Sequence, residues 1–237
     1  MADEPQRLSK VVAALAKCSR REAEQYIAEG WVRVDGRCVE EPFFRVAATQ
    51  RVEVDPQARL QRPVRATYLW HKPAGVRNEE ALAQLGPATH WAGDASGIRY
   101  AKGHGTGLQL LMPLPMEAAG LSVFSQDDGI VRKLTEDAAL LEQELVAEVA
   151  GTAAPDALAR LGRGLVPAKE LPPARVSWQS ETRLRLAAKG IAADRVPALC
   201  AEAGLQLVSL RRIRIGRVPM AALPAGQWRY LPTGERF

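Results

Sequence analysis

Residues that build disulfide and metal sites are scarce in this chain. The odd number of cysteines and the lack of a CxxC pair exclude the usual spacing of a disulfide framework or a zinc site. No HExxH or HxH pattern indicates a catalytic metal. We therefore expect no metal and no other cofactor, and a reducing compartment. The 237 residues include only these cysteines and histidines: Cys18, Cys38, Cys200, His71, His90 and His104.

Long apolar runs are also missing. No stretch of 18 apolar residues occurs, so no membrane-spanning helix is predicted, and the first residues, Met-Ala-Asp-Glu-Pro, do not form a signal peptide. We expect a cytoplasmic monomer that does not bind membranes. Apolar residues still make up 47% of the chain, enough for a core. The formal net charge of +5 is compatible with an anionic partner but does not identify one.

The first sixty residues begin with two predicted helices. Ser19-Arg-Arg-Glu22 has the spacing of a capping box, in which Ser19 and Glu22 satisfy each other's amides at the start of the second helix. Gly30 suits the position just past its end. The first helix is predicted from apolar residues that share one face: Leu8, Val11, Val12 and Leu15.

Short strands are predicted to follow. Asp35-Gly36 favours a type I′ hairpin between strands at 31–34 and 37–39, and a further strand at 51–54 closes the unit. The helices carry cations, and two arginines in the first turn of the second helix oppose its macrodipole unless an anion binds there. The alternative is a solvated face balanced by Glu22, Glu24 and Glu29. These cations are Arg7, Lys10, Arg20 and Arg21.

This pattern resembles the S4 RNA-binding domain over about residues 6 to 55. The matching residues are Arg7-Leu-x-Lys10, Ser19-Arg-Arg-Glu-Ala23, Ile27, Gly30, Val32-x-Val-Asp-Gly36 and the final Val-x-Val. The resemblance implies binding of structured RNA, largely through shape and phosphates. It places Arg7, Lys10, Ser19, Arg20 and Arg21 at the contact positions, with Arg33 and Arg37 of the hairpin as further candidates.

A polar, proline-containing segment at 55–63 reads as a linker, so we expect domains at 1–60 and 61–237. The second domain opens with Lys72-Pro-Ala-Gly75. A Lys-Pro-x-Gly turn shortly after an S4 domain resembles the RsuA type of rRNA pseudouridine synthases. The resemblance implies an α+β chain with a mixed, mostly antiparallel sheet in the second domain, and RNA contact by Lys72.

The C-terminal segment, with Leu205–Gly216 and Leu223–Leu231, resembles the way these enzymes end. Six arginines and one acid lie between Leu205 and Phe237. Alternation puts Arg212 and Arg214 on one face and Leu210, Ile213 and Ile215 largely on the other. The alternative to RNA binding is an exposed sheet edge protected by charge. The family context favours RNA contact by Arg211, Arg212, Arg214 and Arg217.

The stretch Leu111–Gly129 departs from the family at its catalytic position. Active members carry Gly-Arg-Leu-Asp four residues before Gly-Leu, and that Asp attacks a nucleotide whose base has been flipped out. Counting back from Gly120-Leu121 puts Pro115 at the Asp position and Pro113 at the Arg position. Proline supplies neither a nucleophile nor a donor. We therefore predict that the chain has no catalytic residue.

Two further family positions also differ. Glu142-Gln-Glu-Leu145 has Leu145 where the family has a base-packing tyrosine, and the stretch 192–199 keeps only Arg195 of a basic motif. Among other carboxylates, Glu117 shares a strand face with Pro115 by alternation, whereas Asp127 fits a turn-capping role. We expect an RNA-binding protein of rRNA or ribosomal particles without catalysis. The alternatives are an active synthase with an unusual nucleophile and a protein-interaction module that kept the fold.

Overall fold

The computed structural model describes residues 4–58, 65–166 and 168–237. The chain divides into two compact units, one of Met1–Arg65 with Ile98–Gly107 and one of Ala66–Gly97 with Leu108–Phe237. The predicted boundary between residues 60 and 61, and residues 59–63 of the predicted linker, lie outside the described residues. Within the described ranges, no helix is both long and apolar enough to cross a bilayer.

The second helix of the first unit begins where the capping residues predict. Glu22 donates its amide to the Ser19 hydroxyl at 3.3 Å, and the Ser19 amide donates to the Glu22 carboxylate at 2.7 Å, which confirms the capping box. The elements are β1 (Gln6–Arg7), α1 (Leu8–Leu15), α2 (Arg20–Ala28), β2 (Val32–Val34), β3 (Arg37–Cys38), β4 (Arg45–Val46) and β5 (Val52–Val54).

The hairpin of the first unit is confirmed as well. Asp35 and Gly36 both adopt positive φ, 50° and 79°, as a type I′ turn requires, and β3, β2 and β5 form one antiparallel sheet. The pairing of β1 with β4 was not predicted, because each strand has only two residues and no periodicity. The core between helices and strands is formed by Leu8, Val12, Ala23, Ile27, Val32, Val34 and Val46.

The second unit holds a nine-stranded sheet. Its strands are β6 (Thr67–Lys72), β7 (Gln109–Leu111), β8 (Ala119–Ser125), β9 (Glu142–Gly151), β10 (Arg175–Ser180), β11 (Arg183–Lys189), β12 (Leu205–Ile215), β13 (Val218–Pro219) and β14 (Trp228–Tyr230). Its α-helices are α3 (Ala81–Gln84), α4 (Asp128–Thr135), α5 (Ala157–Gly164) and α6 (Val196–Glu202). Short 3-10 turns cover Asn78–Glu80, Ala138–Leu140 and Ala193–Arg195, among others.

The sheet order is β10-β11-β9-β12-β8-β6-β14, with β13 beside β12 and β7 beside β8. Strands β12 and β8 run parallel, and the other pairs are antiparallel. This arrangement confirms the predicted α+β class with a mixed, mostly antiparallel sheet. Two apolar clusters flank the sheet: α5 and α6 contribute to one with β9 and β11, and α4 contributes to the other with β8.

The parallel junction of β8 and β12 depends on Gly120. Its φ is +113°, and a Cβ there would lie 2.2 Å from the carbonyl oxygen of Arg212. A side chain would therefore push the two strands apart. Since β12 also shifts register between Arg212 and Arg214, the backbone at this junction is irregular, and a cleft opens beside it.

Candidate functional site

An open cleft of about 840 Å³ lies in the second unit. The connection between β7 and β8 forms one wall. The segment at 190–194, before α6, forms another, and the end of α4 adds apolar surface. The lining is mostly apolar, but among the described residues it also includes the polar or charged side chains of Asn78, Thr135, Gln143, Asp194 and Arg212.

The two prolines predicted to stand at the family's catalytic positions, Pro113 and Pro115, both line this cleft. Strand β7 ends at Leu111, so Pro113 and Pro115 lie in the connection and interrupt no ladder. Leu114 between them is 1% exposed and packs into the core, while the Asn78 amide donates to its carbonyl at 3.1 Å. Met112, just before, has a positive φ of 50°. The connection is therefore fixed in place, and neither Pro113 nor Pro115 offers an acid or a nucleophile to the cleft.

Arg212 crosses the junction beside this connection and is only 2% exposed. Its guanidinium donates to the carbonyl oxygens of Leu121 at 2.8 Å and Met112 at 2.6 Å, and to the Gln143 side-chain oxygen at 2.9 Å. Burial lowers the pKa of this arginine to about 9. Three directed bonds to oxygen atoms replace the water that burial removes. Arg212 thus ties β12, β9 and the proline connection together.

Lys72 is fully buried at the end of β6. Its ammonium lies within hydrogen-bond distance of four carbonyl oxygens, those of Pro73, Pro115, Met116 and Ala118, at 2.8–3.2 Å. Desolvation lowers the pKa of this lysine, and the nearby Glu117 opposes the shift. The surface RNA contacts predicted for Lys72 and Arg212 do not fit these interior positions. Both cations instead hold the backbone around Pro115.

Arg214, another predicted RNA contact, belongs to an ion-pair ladder across the sheet. Its guanidinium pairs with Glu142 and, at 3.0 Å, with Glu144, while Arg185 also pairs with Glu144 and Arg175 with Glu142. Three arginines therefore share two carboxylates. Most of the positive charge of Arg214 is neutralised within the protein, which reduces its attraction for a phosphate.

This ladder predicts a pH-dependent contribution to stability. The hydrogen bond from Arg185 lowers the pKa of Glu144 most, and that from Arg214 adds to it against the opposing effect of burial. A lowered carboxyl pKa stabilises the fold above the ordinary value of 4.5, and that contribution is lost as pH falls through the folded pKa. We expect Glu144→Gln to lower the free energy of unfolding by about 1.5 kcal/mol at neutral pH.

Urea unfolding at a series of pH values from neutral to strongly acidic measures this effect. The difference between wild type and Glu144→Gln should shrink as pH falls below 4.5. Glu148→Gln is the matched control, because Glu148 lies on the same strand and its pair with Arg183 is exposed and 4.0 Å long. A difference that does not change with pH would contradict the assignment.

The remaining carboxylates differ in their access to the cleft. Asp194, which the sequence reasoning missed, lies in a 3-10 turn and contributes an exposed side chain to the lining. Glu117 lies on an exposed turn and is not among the lining residues. Asp127 accepts from the Ile130 amide at 3.0 Å, which confirms its predicted capping role at the start of α4. No sequence motif marks Asp194, so it becomes a candidate only once the structure shows that the segment at 190–194 lines the cleft.

The other two departures from the family also lie close to this region. Leu145 is fully buried in the core cluster beneath α5 and α6, and it is not among the lining residues. The stretch at 192–199 forms a 3-10 turn followed by the start of α6, with Pro197 in the first turn of that helix. Proline is tolerated there because its missing N–H would have no helical partner.

The first unit presents a basic pocket of about 390 Å³. It brings together three of the predicted contacts, Arg7, Lys10 and Arg20, and adds Arg45 of β4, which the sequence reasoning missed. Of the described residues that line this pocket, Glu4 is the single carboxylate. Within the described part of the chain, none of these four cations forms an ion pair. A pocket with this charge suits a phosphate group.

The other predicted contacts lie at several places on the two units. Ser19 uses its hydroxyl for the capping box, although its position is exposed. Arg21, Arg33 and Arg37 are exposed on the first unit, and Arg33 donates to the Gly36 carbonyl at 3.3 Å. In the second unit, Arg211 and Arg217 are exposed.

Comparison with known proteins agrees with this architecture. Residues 6–52 match the model of the S4 domain family, which confirms the predicted S4 resemblance. The chain is 28% identical to ribosomal large subunit pseudouridine synthase B of Bacillus subtilis (strain 168) over 68% of its own length. It is 24% identical over 97% of its length to an uncharacterized RNA pseudouridine synthase of Aquifex aeolicus (strain VF5), covering 94% of that protein.

A solved structure shares the fold as a whole. The crystal structure of a pseudouridylate synthase superposes with a TM-score of 0.56, with 18% identity, over 96% of each chain. The match to the Bacillus protein is shorter and spans 62% of that protein's length.

Proposed function

We propose that this protein binds structured RNA, with ribosomal RNA as the target class, and does not isomerise uridine. The proposal rests on Pro115, which counting back from Gly120 puts at the position of the nucleophilic Asp in the family that the sequence resembles. It lines the cleft of the second unit together with Pro113. Nucleophilic catalysis needs a nucleophilic side chain placed against the reacting carbon, and the saturated ring of proline has no nucleophilic atom.

The surroundings of Pro115 support the same proposal. The two buried cations beside it, Lys72 and Arg212, donate to backbone carbonyl and amide oxygens. Uncharged oxygen atoms therefore satisfy hydrogen-bond donors that a carboxylate could otherwise accept from. A cleft lined by apolar side chains, Asn78 and Gln143 can still hold a nucleobase by contact and hydrogen bonds.

RNA affinity in this proposal comes from exposed cations. Residues 1–60 act as the RNA-binding domain and residues 61–237 as the synthase-like domain. Phosphates would be bound in the pocket formed by Arg7, Lys10, Arg20 and Arg45. Affinity of this kind falls steeply with salt, because each neutralised phosphate releases counterions. Further contacts would come from Ser19, Arg21, Arg33, Arg37, Arg211 and Arg217.

Ribosomal RNA labelled with tritium at uridine C5 tests both parts of the proposal. Isomerisation must release that tritium, so we expect no release above background, even with excess protein. The same sample should retain the RNA on a filter at low salt. Arg20→Gln should weaken retention and reduce the slope of log affinity against log salt by about one. Arg160→Gln is the control, because Arg160 is paired with Asp156 at 3.2 Å.

A second candidate is an active synthase with a non-standard nucleophile, and Asp194 is the residue that favours it. Among the lining residues that the structure describes, it is the single carboxylate of the cleft. Tritium release by wild type that Asp194→Asn abolishes would establish this enzyme and overturn the first proposal. Release that persists in Asp194→Asn would direct attention to Glu117.

A further inference from the structure

A phenylalanine stands at the tip of a tight turn in the first unit. The Phe44 amide donates to the Glu41 carbonyl at 3.0 Å and closes the turn. Pro42 occupies the second position, where its fixed φ pre-forms this conformation. Phe43 follows at the third position and is 69% exposed. Water therefore surrounds most of an aromatic ring that could have been buried.

The backbone beneath this ring is rigid. The first amides of α1 donate to the turn: Leu8 to the Phe44 carbonyl at 2.7 Å and Ser9 to the Pro42 carbonyl at 3.4 Å. Directly after the turn, Arg45 pairs with Arg7 in the β1–β4 ladder. Because these bonds already order the backbone that carries the ring, binding of a ligand to the ring has little further backbone entropy to remove.

An arginine beside the Phe43 ring also lines the basic pocket of the first unit. The Arg7 guanidinium lies 5.5 Å from the centroid of the Phe43 ring. Arg7 and Arg45, on the paired strands beside the turn, both line the pocket with Lys10 and Arg20. One contiguous surface thus offers an aromatic face and four positive charges. Proteins bind single-stranded nucleic acid with both features, because the bases stack on aromatic rings and the phosphates pair with cations.

We infer that Phe43 is a stacking platform for an unpaired nucleobase of an RNA whose phosphate occupies the adjoining basic pocket. This inference rests on the proposed RNA binding and adds to it a preference for RNA with unpaired nucleotides beside a structured region. A fully paired duplex would reach the cations but leave the Phe43 face unused, since its bases are already stacked on each other.

Two fluorescent RNAs test the inference with the full chain. One is a hairpin with an unpaired 3′ extension that contains 2-aminopurine, and the other is a fully paired duplex with the same number of phosphates. We expect Phe43→Leu to weaken binding of the extended hairpin by about 5- to 150-fold, the range for loss of one stacked base. Duplex affinity and the salt slope should not change, because no charge is removed. Phe43→Trp should retain affinity.

The 2-aminopurine signal reports stacking directly, because its fluorescence should fall on binding to wild type and Phe43→Trp but not to Phe43→Leu. Trp178→Leu, which removes another aromatic ring that is 40% exposed, is the matched control and should change nothing. Thermal unfolding of each variant verifies that the fold is intact.

The failures of the two proposals are distinguishable. If Phe43→Leu leaves the extended hairpin bound as before while Arg20→Gln weakens both RNAs, the stacking inference is overturned and RNA binding stands. Equal weakening of hairpin and duplex by Phe43→Leu also overturns stacking. If wild type binds neither RNA at low salt, RNA binding itself fails, and an acidic protein segment becomes the ligand to test on this surface.

Discussion

Lys72→Met is expected to lower the free energy of unfolding by about 3 kcal/mol. The methionine side chain retains most of the length and apolar character of the lysine stem, but it cannot donate to the carbonyl oxygens around the ammonium. These oxygens belong to Pro73 and to the turn of Pro115, Met116 and Ala118. The folded variant no longer buries a charged group, and this gain offsets part of the free energy lost with the hydrogen bonds.

Urea unfolding followed by tryptophan fluorescence measures the change. Lys133→Met is the matched control, because Lys133 lies on the surface of the same unit and pairs with Asp137 at 3.0 Å. An exposed pair of this kind contributes about 0.5 kcal/mol or less. A loss below about 1 kcal/mol for Lys72→Met would show that the carbonyl oxygens find other donors, and that the turn does not depend on the ammonium.

Local signals in the sequence were sufficient to predict the second helix and the hairpin of the first unit. The capping box of Ser19 and Glu22 and the Asp35-Gly36 turn act within a few residues, so their geometry depends little on the rest of the chain. The pairing of β1 with β4 has no such signal. It follows from the turn at Glu41–Phe44, which binds the first amides of α1 and brings the two strands together.

Side-chain exposure along β12 could not be predicted from alternation. The strand shifts register between Leu207 and Ser209 and again between Arg212 and Arg214, and each shift moves the following side chains relative to the sheet. Alternation put Arg212 and Arg214 on one face, and the family resemblance predicted RNA contact by both and by Arg211. In the structure, Arg211 is exposed, Arg212 is buried and Arg214 is half-buried in ion pairs.

The sequence predicted the candidate site only in the continuous segment that contains Pro115. The prediction for Pro115 came from counting back from Gly120, a position where the structure leaves no room for a side chain. The other walls come from Asn78, Gln143 and Asp194, which are far apart in sequence and carry no shared motif. Arg45 and Phe43 likewise gained a functional interpretation only once the turn placed them beside Arg7.

Two adjacent arginines of β12 are expected to have opposite roles, and Arg212→Met should be the more destabilising substitution. It removes three hydrogen bonds from a side chain that is 2% exposed, and it leaves the carbonyls of Leu121 and Met112 and the Gln143 amide oxygen without this donor. Unsatisfied buried acceptors cost about 1–3 kcal/mol each, so we expect a loss of about 4 kcal/mol in urea unfolding.

Arg211→Met is the matched control, with the same chemistry one residue earlier on an exposed position. We expect its stability to change by less than about 0.5 kcal/mol, while its RNA affinity weakens and the salt slope falls by about one. Arg212→Met, assayed at a temperature where it remains folded, should keep the salt slope of wild type. If the salt slopes of the two variants were interchanged, Arg212 would be the RNA contact, and the interior role assigned to it here would be wrong.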